Sequence, residues 1–188
     1  MYGFWLPNDP RGSWSTFVGA WELFRFGPAT KVSTRRSVAH RNHNADKRLA
    51  AKQSLKRPAV KLTGIQARAV GRGFEAYVRG SELTVLACAI LPDHVHLVLE
   101  RHELSVERIV TQLKAAATRR LVEEEIHPFR HLALINGAPP KCFARGAWKV
   151  FLDCDTEVER TIKYVDDNPL KEGLRRQRWG FVKPYIAS

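Results

Sequence analysis

The chain has 188 residues, which suits one domain or one domain with an arm, and at 44% apolar it can bury a core, so global disorder is excluded. Thirty-one Lys and Arg against nineteen Asp and Glu leave a net charge of +12 and a pI near 10.1. That excess favours a polyanionic partner, nucleic acid before an anionic membrane surface. No uncharged run exceeds about ten residues, against the ~20 that a spanning helix needs.

Met1 to Pro7 has no basic lead and no long apolar stretch, so it does not read as a secretory signal. Tyr2–Leu6 instead suits a short first strand. Turn signals follow over 7–30 (Pro7-Asn8-Asp9-Pro10, Arg11-Gly12-Ser13), with the aromatics Trp14, Phe17, Trp21, Phe24 and Phe26. Residues 31–61 hold ten Lys and Arg and a single acid, Asp46. Their apolar residues are sparse and without period, which predicts a basic segment that is mobile or partly helical. It is either a solvated surface or a phosphate-tracking arm, and the aromatics of 14–26 either pack or stack on unpaired bases.

The compact part begins near Leu62, dividing the chain into 1–61 and 62–188. Ile65, Ala69, Phe74 and Val78 predict one buried face of a helix over 63–79, weakened by Gly71 and Gly73. Residues 83–91 read as a buried strand, Pro92-Asp93 as a tight turn, and 94–101 as the second strand of a hairpin. Ser105 suits the N-cap of a helix to about Glu125, with Val106, Ile109, Val110, Leu113, Ala117 and Leu121 along its inner stripe. After the loop-rich 127–147, Trp148–Leu152 suits a short strand. Thr156-Glu157-Val158-Glu159 reads as a capping box opening a last helix, expected to stop around Asn168 because Pro169 follows. The order strand, helix, strand, strand, helix, strand, helix is an α+β, ferredoxin-like split βαβ pattern, with an antiparallel sheet and helices on one face. The three cysteines (Cys88, Cys142, Cys154) show no CxxC spacing. No disulfide framework or zinc ribbon is expected, and a reducing cytoplasm is.

Chemistry concentrates in two places. In His94-Val95-His96, alternation along a strand puts His94, His96, Val98 and Glu100 on one face, with Val95, Leu97 and Leu99 expected to fill the core. The two imidazoles are then about 6.6 Å apart at the backbone, close enough to converge on one ion. Two polar residues at the start of a strand are also an ordinary arrangement. On the last helix, Val158, Ile162 and Val165 form the apolar stripe, with Tyr164 about 120° and Asn168 about 80° from its centre. Tyr164 is either packing or a hydroxyl presented to a site, and Asn before Pro is also a common helix ending.

Together these segments are specific. Leu91-Pro92-Asp93-His94-Val95-His96-Leu97-Val98 resembles the His-hydrophobic-His motif of HUH endonucleases. Tyr164-Val165-Asp166-Asp167-Asn168-Pro169-Leu170-Lys171-Glu172-Gly173-Leu174 resembles the catalytic-tyrosine helix of single-tyrosine transposases of the IS200-like superfamily. The Asn-Pro ending is similar to the REP-associated branch. The resemblance covers roughly 62–182. It implies a metal-dependent transposase in which His94, His96 and Asn168 hold Mg²⁺ or Mn²⁺ and Tyr164 attacks the scissile phosphate. It further implies single-stranded or hairpin DNA as substrate, a homodimer supplying two tyrosines, and a cytoplasmic, nucleoid-associated location.

The basic cluster Lys171, Arg175, Arg176, Arg178 and Lys183 follows the tyrosine helix and is expected to contact DNA. Arg145 and Trp148 either line the site or anchor the short strand. His40, His43, His102, His127 and His131 lack ligand spacing and read as structural or exposed, and Cys88 reads as core. Two rival functions remain at this level: a non-catalytic nucleic-acid-binding module of the same fold, and a phosphoesterase that keeps the histidines but uses water in place of Tyr164.

Overall fold

In the computed structural model, which describes residues 21–26, 44–54, 60–132, 137–144, 147 and 149–187, a short 3-10 helix at Trp21–Phe26 is followed by six elements. These are α1 (Ala45–Gln53), α2 (Gly64–Arg79), β1 (Val85–Ile90), β2 (Val95–Leu99), α3 (Val106–Glu123) and α4 (Asp155–Lys171), an α+β fold. The described residues fall into two compact units, one within Val60–Cys142 and Phe151–Ser188, the other within Tyr2–Ala59 and Phe143–Val150. No described helix is long and apolar enough to cross a membrane.

In the second unit the basic segment is helical over α1, capped by Asn44, whose side chain accepts from the Lys47 N–H at 2.8 Å. Leu23 and Ala51 are buried. Residues 31–43 and 55–59, Trp14, Phe17 and the side chains of Trp21 and Phe24 lie outside the described residues, as does the expected first strand at Tyr2–Leu6.

The first unit holds the hairpin and the three long helices. Thr63 and Gln66 form a reciprocal capping box at the start of α2. The buried face of that helix is Ala69, Val70, Gly71, Gly73, Phe74 and Val78, whereas Ile65 is 58% exposed. The expectation for Ile65 fails because the glycines belong to the buried stripe. At 100° per residue Ile65 then points about 140° away from Val70. Gly73 is where α2 meets α3: a Cβ there would lie 2.7 Å from the Ala117 Cα and 2.8 Å from the Ala116 carbonyl oxygen. α3 begins at its expected cap, Ser105, and buries Ile109, Leu113, Ala116, Ala117 and Leu121.

β1 and β2 pair antiparallel with Val85 opposite Leu99, Ala87 opposite Val98 and Ala89 opposite His96, and a bulge falls between Val85 and Ala87. The Leu91 N–H donates to the His94 carbonyl at 2.8 Å, closing the turn at Pro92-Asp93. All six β1 residues are buried. On β2 the buried residue is Val98, while Val95, Leu97 and Leu99 are half-buried, so the core assignment made from alternation is corrected. The reason is α4, which packs on the histidine-bearing face. There Leu86, Ala87, Ala89, Val98 and Val165 form a cluster, with Leu152, Val158, Ile162 and Tyr185 against it. α2 also reaches β1 but does not touch α4.

The described sheet has these two strands. Residues 149–152 form no strand, and Trp148 lies outside the described residues. The outer edge of β1 is taken instead by the C-terminal segment. Val182 bridges Val85 in parallel, and the Lys183 N–H donates to the Val85 carbonyl at 2.8 Å. At the other end, the Gln177 amide accepts from the Ile90 N–H and donates to the Ile90 carbonyl, both at 2.8 Å. A side-chain amide there completes the backbone pairing that a strand would give.

α4 departs from expectation at both ends. Its N-cap is Cys154, with no side-chain cap bond, so Thr156 sits inside the first turn and the capping box does not form. Glu157 instead accepts from the Asp153 N–H at 3.0 Å. The helix runs through Pro169 to Lys171. In the last turn proline removes only one backbone bond, and the actual stop is Gly173 at φ 70. The Leu174 N–H reaches the Pro169 carbonyl and the Gly173 N–H the Leu170 carbonyl, a Schellman ending. All three cysteines are free, with Cys88 and Cys142 buried and Cys154 exposed. Burial pushes the Cys142 thiol up to about 11.

Gly73→Ala should destabilise the fold by about 1–3 kcal/mol, because its methyl would meet α3 backbone with no flexible group to yield. Gly64→Ala, whose Cβ would meet nothing within 4 Å, should leave stability unchanged or slightly raised; denaturant midpoints of both variants check this.

His127 supplies a pH signature. It is buried, its Nδ1 accepts from the Phe129 N–H at 3.1 Å, and its Nε2 has no partner among the described residues, so burial lowers its pKa below 6.5. The unfolded chain binds the proton more readily. Its stabilising contribution is therefore full above about pH 6.5 and is lost as the pH falls through the lowered native value. The urea midpoint of His127→Asn should fall less steeply than wild type between pH 6.5 and 4.5.

Candidate metal and tyrosine site

β2 begins one residue after His94, so both imidazoles leave the hairpin on the face that α4 covers. Their ring centroids are 4.8 Å apart and nearly perpendicular, at 88°. Asp93, the second turn residue, places Oδ1 2.5 Å from His94 Nδ1. That partner fixes the ring and leaves Nε2 as the open nitrogen, the way a carboxylate orients a ligating histidine. Val165 packs in the core, which swings its neighbour Tyr164 to the flank facing the hairpin. The Tyr164 ring lies 5.6 Å from that of His96 at 81°, and 48% of the residue is exposed. One turn on, Asn168 is buried and its Nδ2 has no hydrogen-bond partner among the described residues.

His96 is held neutral. Burial first, then the charges of His94 and Lys171, lowers its pKa to about 4, so its lone pair is available for a ligand at neutral pH. Lys171 places Nζ 4.3 Å from the centre of the Tyr164 ring. Of the two acids after the tyrosine, Asp166 is exposed. Asp167 accepts from Lys163 Nζ at 2.8 Å and from Arg176 Nη2. The Lys163 bond, with the charges of Lys163, Arg176 and Lys171, holds its carboxyl below the usual range. Its repulsion of a phosphate is thereby offset locally.

Among the described residues no group of three His, Cys, Asp or Glu side chains has metal-holding geometry. The donor set on this face is two imidazoles and an amide. A neutral, half-buried His96, an oriented His94 and a buried amide with no partner among the described residues fit a divalent cation that also keeps water or phosphate oxygens as ligands.

Lys171, Arg175, Arg176, Arg178 and Lys183 are all exposed, while Arg145 lies outside the described residues. Arg176 is engaged with Asp167, unlike the free phosphate contact expected of it. Three features were missed in the sequence: the Asp93 contact to His94, the Lys163–Asp167–Arg176 network, and Lys171 over the tyrosine ring. Adjacency signalled the first, and i,i+4 spacing signalled the Lys163–Asp167 pair. The third had a signal in the seven-residue spacing, which is nearly two helical turns.

Residues 53–137 match the family model described as Transposase IS200 like. The matched segment includes the hairpin with His94 and His96, and α4 with Tyr164 and Asn168 lies beyond it. Comparison with curated proteins gives no match, and comparison with solved structures gives none. The hairpin that presents the paired histidines thus lies in a segment similar to the IS200-like transposases.

Proposed function

We propose that this chain is a transposase that cleaves and rejoins single-stranded DNA through Tyr164, in the manner of the HUH single-tyrosine enzymes and of their REP-associated branch. The observation that carries this reading is the 5.6 Å approach of the Tyr164 ring to His96, which joins the two motifs across 68 residues of sequence. His94, His96 and Asn168 would hold Mg²⁺ or Mn²⁺. When bound, such an ion supplies Lewis acidity at a non-bridging oxygen of the scissile phosphate.

The Tyr164 oxygen forms a bond to phosphorus as the bond from phosphorus to the 3′-oxygen breaks. The phenolic proton leaves to solvent, and the departing oxygen takes one up as a 3′-hydroxyl. The product is a 5′-phosphotyrosine. With a pKa of about 10, a phenol is a far better leaving group than an aliphatic alcohol, so a 3′-hydroxyl reverses the step without a nucleotide cofactor. Arg175, Arg178 and Lys183, together with Arg145, are suited to the backbone of a hairpin or repeat substrate. Moving a segment takes two cleavages, and one nucleophile per chain makes a homodimer the economical working form.

The test is covalent capture. Wild-type protein with labelled hairpin DNA and Mn²⁺ should give an SDS-resistant adduct. Tyr164→Phe and a chelator should each remove it, by about 10³-fold or more. Cleavage that persists in Tyr164→Phe would assign hydrolysis to water, and binding without cleavage across a panel of hairpins would favour a non-catalytic module.

A further inference from the structure

Tyr164 is half exposed, and a tyrosine side chain in that setting swings about two torsions. Attack on phosphorus requires its oxygen to be held within about 3–3.5 Å of the target and in line. The His96 ring lies 5.6 Å from it, edge to face. Lys171 sits over the ring, with its ammonium 4.3 Å from the ring centre. Seven residues span 700°, about 20° short of two turns, so Lys171 shares the Tyr164 face of α4 and its long side chain can return along the helix to the ring. An ammonium over the ring face leaves the hydroxyl free.

The neighbouring charges keep Lys171 on the ring. The natural partner for a lysine at this position is the acid four residues earlier, Asp167. Both oxygens of Asp167 are engaged: Oδ2 with Lys163, Oδ1 with Arg176. Among the described residues Lys171 makes no salt bridge.

We propose that Lys171 is a positioning residue for Tyr164, its ammonium holding the phenol ring in place beside His96 so that the hydroxyl is aimed at the phosphate. The role rests on the reading of Tyr164 as nucleophile. It differs from a phosphate-tracking lysine, whose loss lowers affinity rather than rate.

Full-length Lys171→Met and Lys171→Arg test it in two ways. In ¹³C-tyrosine-labelled protein, with the Tyr164 signals assigned through Tyr164→Phe, Lys171→Met should move the ring signals toward those of a free exposed tyrosine. Lys171→Arg, which keeps the cation over the ring, should preserve them. In adduct formation at saturating hairpin DNA with Mn²⁺, Lys171→Met should be slower by about 10-fold or more, with DNA affinity within about 3-fold and Lys171→Arg close to wild type. Tyr164 signals unchanged in Lys171→Met overturn the proposal whatever the activity. So does a wild-type saturated rate in that variant, and if affinity alone falls, Lys171 is a backbone contact. A wild-type protein that makes no adduct while its ring signals still depend on Lys171 strikes the nucleophile reading and leaves the ring contact standing.

Discussion

The packing of Val165 against the Val98 side of the hairpin is the contact on which the site depends. It seats α4 on the strand face that carries the imidazoles. Each such valine is worth about 1.5–3 kcal/mol when fully buried. That apolar gain offsets the cost of enclosing a neutral imidazole and an amide beside it. Because α4 is rigid, fixing Val165 also fixes the residue before it on the flank and the residue three later beneath it. Tyr164 and Asn168 are therefore positioned by a hydrophobic contact that neither of them makes.

The electrostatic arrangement follows from the same placement. A strongly basic chain attracts polyanions, yet the segment after the tyrosine carries consecutive acids. Lys163 and Arg176 close on Asp167 from within the helix and from the segment after it. One carboxylate thus consumes two cations and spares a third, Lys171, for the aromatic ring. His96 sees that third cation as well, which reinforces its neutral state. Exposed ion pairs of this kind add little stability. Their value here lies in deciding which lysine is left with which neighbour.

Much of this was legible from local pattern. The hairpin, its Pro-Asp turn, the Ser105 cap and the buried Cys88 all follow from side-chain alternation and cap chemistry, which act over a few residues. The errors have a common physical source in long-range packing. Val98 is buried instead of Val95 and Leu97 because a helix some sixty residues later chooses the strand face, and no window around the strand contains that information. Ile65 turned outward because glycines, which bear no hydrophobic signal, occupy the buried stripe of α2. Pro169 predicts an end of α4 around Asn168, whereas the left-handed Gly173 beyond it is the actual stop. Asn168 was placed correctly on the flank, but its burial depended on partners the helix alone does not name.

The C-terminal clamp on β1 has a consequence in time. Gln177 reaches Ile90 across 87 residues of sequence. At synthesis rates of about 5–20 residues per second, the hairpin waits several seconds on the ribosome before its outer edge acquires that partner. Through that interval β1 is an open apolar edge, the kind of strand that pairs with other chains. The tyrosine helix itself emerges just ahead of the clamp, so the paired histidines exist well before Tyr164 can face them. A nascent or truncated chain accordingly presents a sticky hairpin without its tyrosine. The hairpin acquires its edge protection and its facing tyrosine at nearly the same moment, as residues 155–183 are made.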